Sequence, residues 1–501
     1  MQDSPKKMYD FQRQHPIAAV SRAVTMIRAN LVTILVFLFI GAQSESFSFF
    51  VMIGGGFALL MISGFLDWWR FLFKVEQGEM HIKRGIFVRK DIYLTKDRVQ
   101  VIDISSGVIQ RMFGLVKIDI QTAGSTSRAA MIEAVPIETA KEIKKKLSKN
   151  SSAEAEEAEE QSHTENKIRY GLPNKDLLIA ASTSGRFGIA LSILGTLFSQ
   201  IEPVIRESNM FEYLFSLLPA QTDTIMIVSI VVVFIVVAWL ISFFSTLFMY
   251  GDFSLEVSKD EMLISRGIFE KKRITIPYKR IQALYVTEGI IRQPLGFCSV
   301  HIHSAGYGDE QGSGSIVLFP LIRRDKVESL LEKVVPHYDV SLQGIKPPAR
   351  ALRRYIFRSA AFLTLITGVL YWTLPLSDWI WLIPVLSVWW GWLKYNDAAI
   401  GWDDKNVVIS DRTLSKTIAI VKRDRIQDAS VSASWIQRYR KLSSAELYVA
   451  SGDHGSSFSI DDISESDGES YLNAINSKLL VERKLPAAHD TTKELVSLPG
   501  W

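Results

Sequence analysis

The chain has 501 residues, room for about three folded units at ~150 residues each. It is 48% hydrophobic and 11% aromatic with a mean hydropathy of +0.14, too apolar for an ordinary soluble protein, while 22% charged residues exclude a chain buried wholly in a bilayer. A net charge of +4 gives no case for a nucleic-acid partner, and the lone Cys298 excludes an intrachain disulfide, a Cys-based zinc site or an iron–sulfur cluster.

Six apolar segments are long enough to approach the roughly 20 residues that a bilayer requires. In chain order they are Ala23–Ala42, Phe47–Leu66, Phe187–Val204, Ile225–Met249, Ser359–Leu374 and Trp379–Leu393, the last being short and interrupted by Pro384. The first 16 residues are polar, so no cleavable signal peptide is expected. Lys and Arg are nearly missing from the short loops within each pair of segments. They collect at the outer ends, at Arg22, Arg28, Arg70, Lys74, Lys175, Arg186, Arg350, Arg353, Arg354, Arg358 and Lys394. This asymmetry predicts three hairpins, with both termini and all large polar segments on the cytoplasmic side.

A polar segment of similar sequence follows each hairpin. HIKRGIFVRKDIYL (81–94) and LISRGIFEKKRITI (263–276) match closely, and VISDRTLSKTIAIV (408–421) more loosely. Arg98-Val99-Gln100, Arg280-Ile281-Gln282 and Arg425-Ile426-Gln427 fall in register, and ten residues beyond each Gln stand Gln110, Arg292 and Gln437. Such self-similarity signals tandem copies of one module. Alternation in KIDIQT, SVHIHS and ELYVAS predicts strands. Each copy should close with an amphipathic helix, at 136–147 (Ile137, Ala140, Ile143 and Leu147 on one face), 320–334 and near 464–480.

The run R-[VI]-Q, ten residues, Q/R, then Gly-Leu or Gly-Phe, a strand and Ala-Gly resembles the bacterial pleckstrin-homology-like (PH-like) domain family. The layout of three such domains, each behind a helical hairpin, is similar to the YdbT-type membrane protein family. The resemblance implies an α+β integral membrane protein: three transmembrane helical hairpins, each followed by a cytoplasmic PH-like, partly open β-barrel with a C-terminal helix. The expected divisions are hairpin 1 at 17–70, domain 1 at 71–149, an acidic linker at 150–170, hairpin 2 at 173–250, domain 2 at 251–338, hairpin 3 at 348–394, domain 3 at 395–483 and a flexible tail at 484–501. Copy three departs from the pattern. Asp411-Arg412 stands where Arg84-Gly85 and Arg266-Gly267 stand, and Lys441 replaces Gly114 and Gly296.

Basic residues cluster at the edge of copies one and two, at Lys83, Arg84, Arg89, Lys90 and at Arg266, Lys271, Lys272, Arg273. PH domains in general can hold lipid phosphates on such a hairpin, so the resemblance makes these candidate contacts for phospholipid or a protein partner. Charge that merely holds a tethered domain against the membrane gives the same pattern. The turns 107–115, 289–297 and 434–442 mix large apolar side chains with Arg or Lys, and suit either insertion into the membrane interface or plugging of a barrel end. The recurring Arg and Gln of R-[VI]-Q read as structural, because a single active site would not need three copies.

His301 and His303 share one strand face, but no third ligand is evident, so no metal is expected. Cys298 reads as a buried small residue. No catalytic or phosphate-cradling motif is present, so neither catalytic residues nor a cofactor is expected. The expected function is therefore a non-enzymatic inner-membrane (plasma-membrane) protein. Its three PH-like domains would scaffold a complex or bind the leaflet, with membrane phospholipids and a protein partner or a homo-oligomer as contacts. Resemblance to YdbT-type proteins suggests a part in envelope-stress defence. The alternative is a transporter or channel built from the six helices, disfavoured because the spans hold almost no ionisable residues.

Overall fold

The computed structural model describes residues 10–30, 34, 47–76, 78–85, 88–122, 130–147, 168–207, 223–305, 314–336, 338, 344–373, 378–451 and 455–483. Most of the expected acidic linker and the 484–501 tail lie outside these residues. Two compact units make up the chain, one of residues 1–337 with 450–456, the other of 338–449 with 457–501.

In the first unit a short β1 (Gln12–Arg13) precedes helix α1 (Ile17–Ala29) and helix α2 (Phe47–Arg70), which packs against it. Module one follows: β2 (Leu72–Glu76), β3 (Glu79–Arg84), β4 (Lys90–Thr95), β5 (Val99–Ser106), the one-turn α3 (Val108–Met112), β6 (Leu115–Thr122), β7 (Ala130–Pro136) and α4 (Ile137–Leu147). Then come β8 (Ile168–Gly171), α5 (Asn174–Ser182), α6 (Phe187–Glu207) and α7 (Asp223–Tyr250). Module two holds β9 (Ser254–Val257), β10 (Glu261–Arg266), β11 (Lys271–Pro277), β12 (Ile281–Glu288), β13 (Phe297–Ser304), β14 (Ser315–Arg323) and α8 (Val327–Val334). The second unit contains α9 (Leu352–Thr373), α10 (Leu382–Asp397), β15 (Ala399–Trp402), β16 (Asn406–Arg412), β17 (Lys416–Lys422), β18 (Ile426–Ser432), α11 (Trp435–Tyr439), β19 (Leu442–Val449), β20 (Ser456–Ser464) and α12 (Glu465–Arg483).

The expected three hairpins are only partly realised as spans. Among the described residues, two helices are long and apolar enough to cross a bilayer, Val231–Tyr250 and Ala349–Thr373, with a third if the pair Asn174–Ser182 and Phe187–Ser199, bent by 46°, counts as one. α10 falls short because it has only 16 residues and carries Pro384. Most of the expected first segment beyond α1 lies outside the described residues.

Each module alternates apolar and polar residues along antiparallel strands, which gives one buried face per sheet. Module one buries Phe71, Phe73, Met80, Ile82, Ile118, Ile120, Ile132, Ile143 and Leu147 in one core. Ile137, expected on the inner face of α4, is instead exposed at the helix's first position. The helix expected at 320–334 begins at Val327, because Pro320 lies inside β14.

The partly open barrel is also corrected. Module one forms two separate sheets, β2-β3-β4 with β1 outside and β5-β6-β7, and β5 pairs with β11 of module two. A seven-stranded sheet, β7-β6-β5-β11-β10-β9-β8, therefore crosses from one module into the next, and the end of the expected linker supplies β8.

R-[VI]-Q has a structural meaning in every copy. The pairing steps from Val99 to Val101, from Ile281 to Ala283 and from Ile426 to Asp428, so Gln100, Gln282 and Gln427 are each the extra residue of a β-bulge. The preceding arginine closes a tight corner, a 3-10 turn at Tyr278–Arg280 and at Arg423–Arg425. The Arg280 carbonyl accepts from Ala305 N–H at 3.0 Å and from Gln282 Nε2 at 3.0 Å.

Candidate functional site

The Gln110, Arg292 and Gln437 positions join each module to its apolar helices. The turn after the fourth strand brings each of these side chains inward. Gln110 is buried and donates from Nε2 to Ser21 Oγ of α1 at 2.7 Å. Gln14, just before α1, accepts Glu133 N–H at 2.8 Å, and Trp68 Nε1 of α2 donates to the Gln14 carbonyl at 2.8 Å. Arg22 of α1 pairs with Asp67 of α2.

In module two a guanidinium takes this position. Arg292 donates to Thr183 Oγ1 and the Ala180 carbonyl, both at 3.0 Å, where the chain bends between α5 and α6. It also reaches Ser299 Oγ at 2.6 Å and the Pro320 carbonyl at 3.0 Å. Burial lowers its pKa from the usual arginine value. Four acceptors on one planar fork make this a pin that a lysine cannot reproduce.

Module three uses full ion pairs. Gln437 Nε2 donates to Asp462 Oδ1 at 2.9 Å, and Arg354 Nε of α9 donates to the same oxygen at 2.8 Å. Asp462 is 0% exposed. Arg358 lies 2.9 Å from Asp461, the Tyr355 hydroxyl donates to the Asp461 carbonyl at 2.6 Å, and Arg350 donates to the Lys441 carbonyl at 2.9 Å. Lys441 keeps the left-handed backbone of the glycines it replaces, with φ of 53° against 66° at Gly114 and 72° at Gly296, so the divergent turn retains its shape.

With the polar residue turned inward, the large apolar side chains of these turns point out. Met112 (77% exposed) and Phe113, then Ile290, Ile291 and Leu295, then Trp435 (77%) and Tyr439 (88%) lie open beside the helix bases. They do not plug a barrel end. Lys or Arg flanks each group, as at Arg111 and Arg438.

The expected basic clusters lie at the β3–β4 and β10–β11 tips. In module one Arg84 sits opposite Lys90, and Lys83 opposite Leu72 two residues past the end of α2, so this tip returns to the helix end. Lys83, Arg89 and Lys90 are exposed, and Lys83 Nζ lies 4.7 Å from the Phe11 ring centroid. In module two the cluster is divided. Arg266 lies 5.3 Å over the Tyr250 ring at the end of α7, with Arg186 at 6.0 Å from that ring. Lys271 pairs with Asp252 at 2.9 Å and holds its carboxyl below the usual range; Lys272 stands 3.9 Å from Glu270. The backbones of Lys271, Lys272 and Arg273 pair with Ser106, Ser105 and Ile104. These side chains do not converge into one cradle.

The module-two tip is instead seated on α7. Gly267 N–H donates to the Gly251 carbonyl at 2.7 Å, Ile268 N–H to the Phe248 carbonyl at 2.9 Å, and the Phe248 and Phe269 rings stand 4.5 Å apart. Arg111 of module one donates to the Ile268 carbonyl, which ties the two modules at this level.

His301 and His303 both stack on Tyr285, at 4.9 and 4.8 Å between ring centroids. Desolvation, helped by Arg292, pushes His301 down to about 3, which makes it a packed neutral ring. Among the described residues no three His, Cys, Asp or Glu side chains form a metal-holding group. Cys298 is buried, which pushes its thiol up to about 12.

The family described as Bacterial PH domain matches this chain three times, at residues 22–151, 211–335 and 354–479. Over 484 residues, 93% of this chain and 98% of the relative, the sequence is 32% identical to the UPF0699 transmembrane protein YdbT of Bacillus subtilis (strain 168). The repeated module and its repeated joint to apolar helices are thus those of a known architecture: the chain belongs to the bacterial PH domain family, as a YdbT-type membrane protein with three such domains.

Proposed function

We propose that this protein is a non-enzymatic scaffold of a bacterial plasma membrane, anchored by its apolar helices and holding three PH-like domains on the cytoplasmic leaflet. The observation that carries the reading is the joint itself: Gln110 on Ser21, Arg292 on Thr183 and Ala180, and Gln437 with Arg354 on Asp462. A module fixed at the helix base, with apolar and basic side chains around the joint, suits a domain that rests on lipid rather than one swinging on a linker. Exposed Lys83, Arg89 and Lys90 favour an anionic leaflet, each worth about 1 kcal/mol there. Arginines gathered at the module ends of the helices favour the cytoplasmic orientation. A role in envelope-stress defence rests on the resemblance to YdbT-type proteins. Transport has less support, because Val231–Tyr250 carries no Asp, Glu, Lys or Arg.

The test is brief chemical cross-linking of the tagged full chain in its native membrane, followed by purification and mass spectrometry. A protein partner in stoichiometric amount, linked to module residues, is expected. Links confined to lipid or to other copies of this chain would contradict the scaffold reading.

A further inference from the structure

The inter-module strand pair exposes an imbalance at the two ends of the repeat. β5 of module one and β11 of module two pair antiparallel, with Lys271 opposite Ser106, Lys272 opposite Ser105 and Arg273 opposite Ile104. Among the described residues the counterpart of β11 in module one, β4, has a neighbour only in β3. Among the described residues the counterpart of β5 in module three, β18, likewise has a neighbour only in β19. The chain thus carries one copy of each half of a pairing that it already makes internally.

Among the described residues both edges are open. Lys90, Asp91 and Tyr93 of β4 are exposed, as are Gln427, Asp428, Ser430 and Ser432 of β18. Neither strand contains proline, and the Lys-Lys-Arg start of β11 shows that basic residues at this place do not prevent pairing. Both edges also end at the helix side of their modules. β4 starts at the tip that returns to the end of α2, and β18 runs into α11, whose Gln437 meets Asp462 held by Arg354 of α9.

We propose that β18 of one chain pairs antiparallel with β4 of a second copy of this chain, extending the module-one to module-two contact between molecules. The register follows from the repeat. Aligning Arg84-Gly85 with Arg266-Gly267, and Gln100 with Gln427, places Lys90 opposite Ser432 and Asp91 opposite Val431. Because the two edges differ, the contact is head-to-tail and builds a ring or a row in the membrane plane rather than a two-fold dimer.

Cysteine pairing in native membranes tests this. Full-length chains with different tags, one Lys90→Cys and the other Ser432→Cys, are co-expressed and mildly oxidised; residues directly opposite on paired strands lie within disulfide reach. Both positions are exposed, so folding is left intact, and the native Cys298 is buried. The mixed pair should give a mixed-tag dimer several-fold above either like pair, as Ser105→Cys with Lys272→Cys within one chain should give an internal disulfide. The proposal fails if the mixed pair yields no dimer while that internal control oxidises, or if like pairs cross-link equally well. It also fails if a chain carrying both Lys90→Cys and Ser432→Cys closes only on itself, or if either cysteine captures a chain of different mass.

Discussion

Modules two and three solve one problem with different chemistry. Each must seat the tip between its second and third strands on the helix that precedes it. Module two does so through its backbone. Gly267, at φ of 105°, lets the tip turn back and donate to the Gly251 carbonyl, and a Cβ there would stand 2.0 Å from the Glu270 carbonyl oxygen. Module three does so through charge. Arg412 is buried, pairs with Asp397 at the end of α10 and lies 5.5 Å over the Trp390 ring, and Lys416 reaches the same carboxylate at 3.2 Å. The departure of Asp411-Arg412 from Arg-Gly is therefore a change of fastening. The joint below follows the same trend, from neutral Gln110–Ser21 through Arg292 on carbonyl and hydroxyl oxygens to Arg354–Asp462.

The contrast can be broken at its strongest point first. Arg412→Met leaves the half-buried Asp397 carboxylate with Lys416 as its one remaining cation, so the cost should stay below the roughly 3–5 kcal/mol of an uncompensated buried charge. Hydrogen exchange should show β16 and β17 deprotected while β10 and β11 are unchanged. Gly267→Ala should do the reverse, at about 1–3 kcal/mol for forcing a side chain into that backbone region. Arg292→Lys should loosen module two by about 1–3 kcal/mol, because one ammonium cannot serve four acceptors and those left over stay unpaired; proteolysis in the 289–296 turn reports it.

A smaller effect follows pH. Desolvation holds His301 at about 3 in the folded chain, against 6.5 for the ordinary ring. Between those values the unfolded chain binds more protons, so module two loses stability as pH falls from about 6.5 toward 3. Burial also holds His303 down to about 4, so His301→Gln should reduce that slope without abolishing it; an unchanged slope would remove the assignment. Smallest of all, a maleimide should leave Cys298 unmodified at neutral pH until module two is unfolded.

Much of this architecture is legible before any coordinates. The R-[VI]-Q repeat marks the modules because a corner followed by a bulge demands the same residues each time, and β-branched alternation marks the strands. The joint is half legible: the spacing that puts Gln110, Arg292 and Gln437 in register is in the sequence, but their partners Ser21, Ala180 and Asp462 are distant and share no pattern. The sheet joining modules one and two is not legible, since backbone pairing leaves no signature in the side chains of Ser105 or Lys272. For the same reason the basic residues 271–273 read as a surface cluster, although their strand lies against a neighbour.

The central claim, that the joints hold the turns at the membrane surface, is tested most directly by depth. A nitroxide placed singly at Met112, Leu295 and Tyr439 of the full chain in bilayers can collide with lipid-dissolved oxygen or with a water-soluble nickel chelate. The account predicts that all three sites favour oxygen, while Lys259, exposed at the far β9–β10 turn, favours nickel. Turn sites as open to nickel as Lys259 would contradict it.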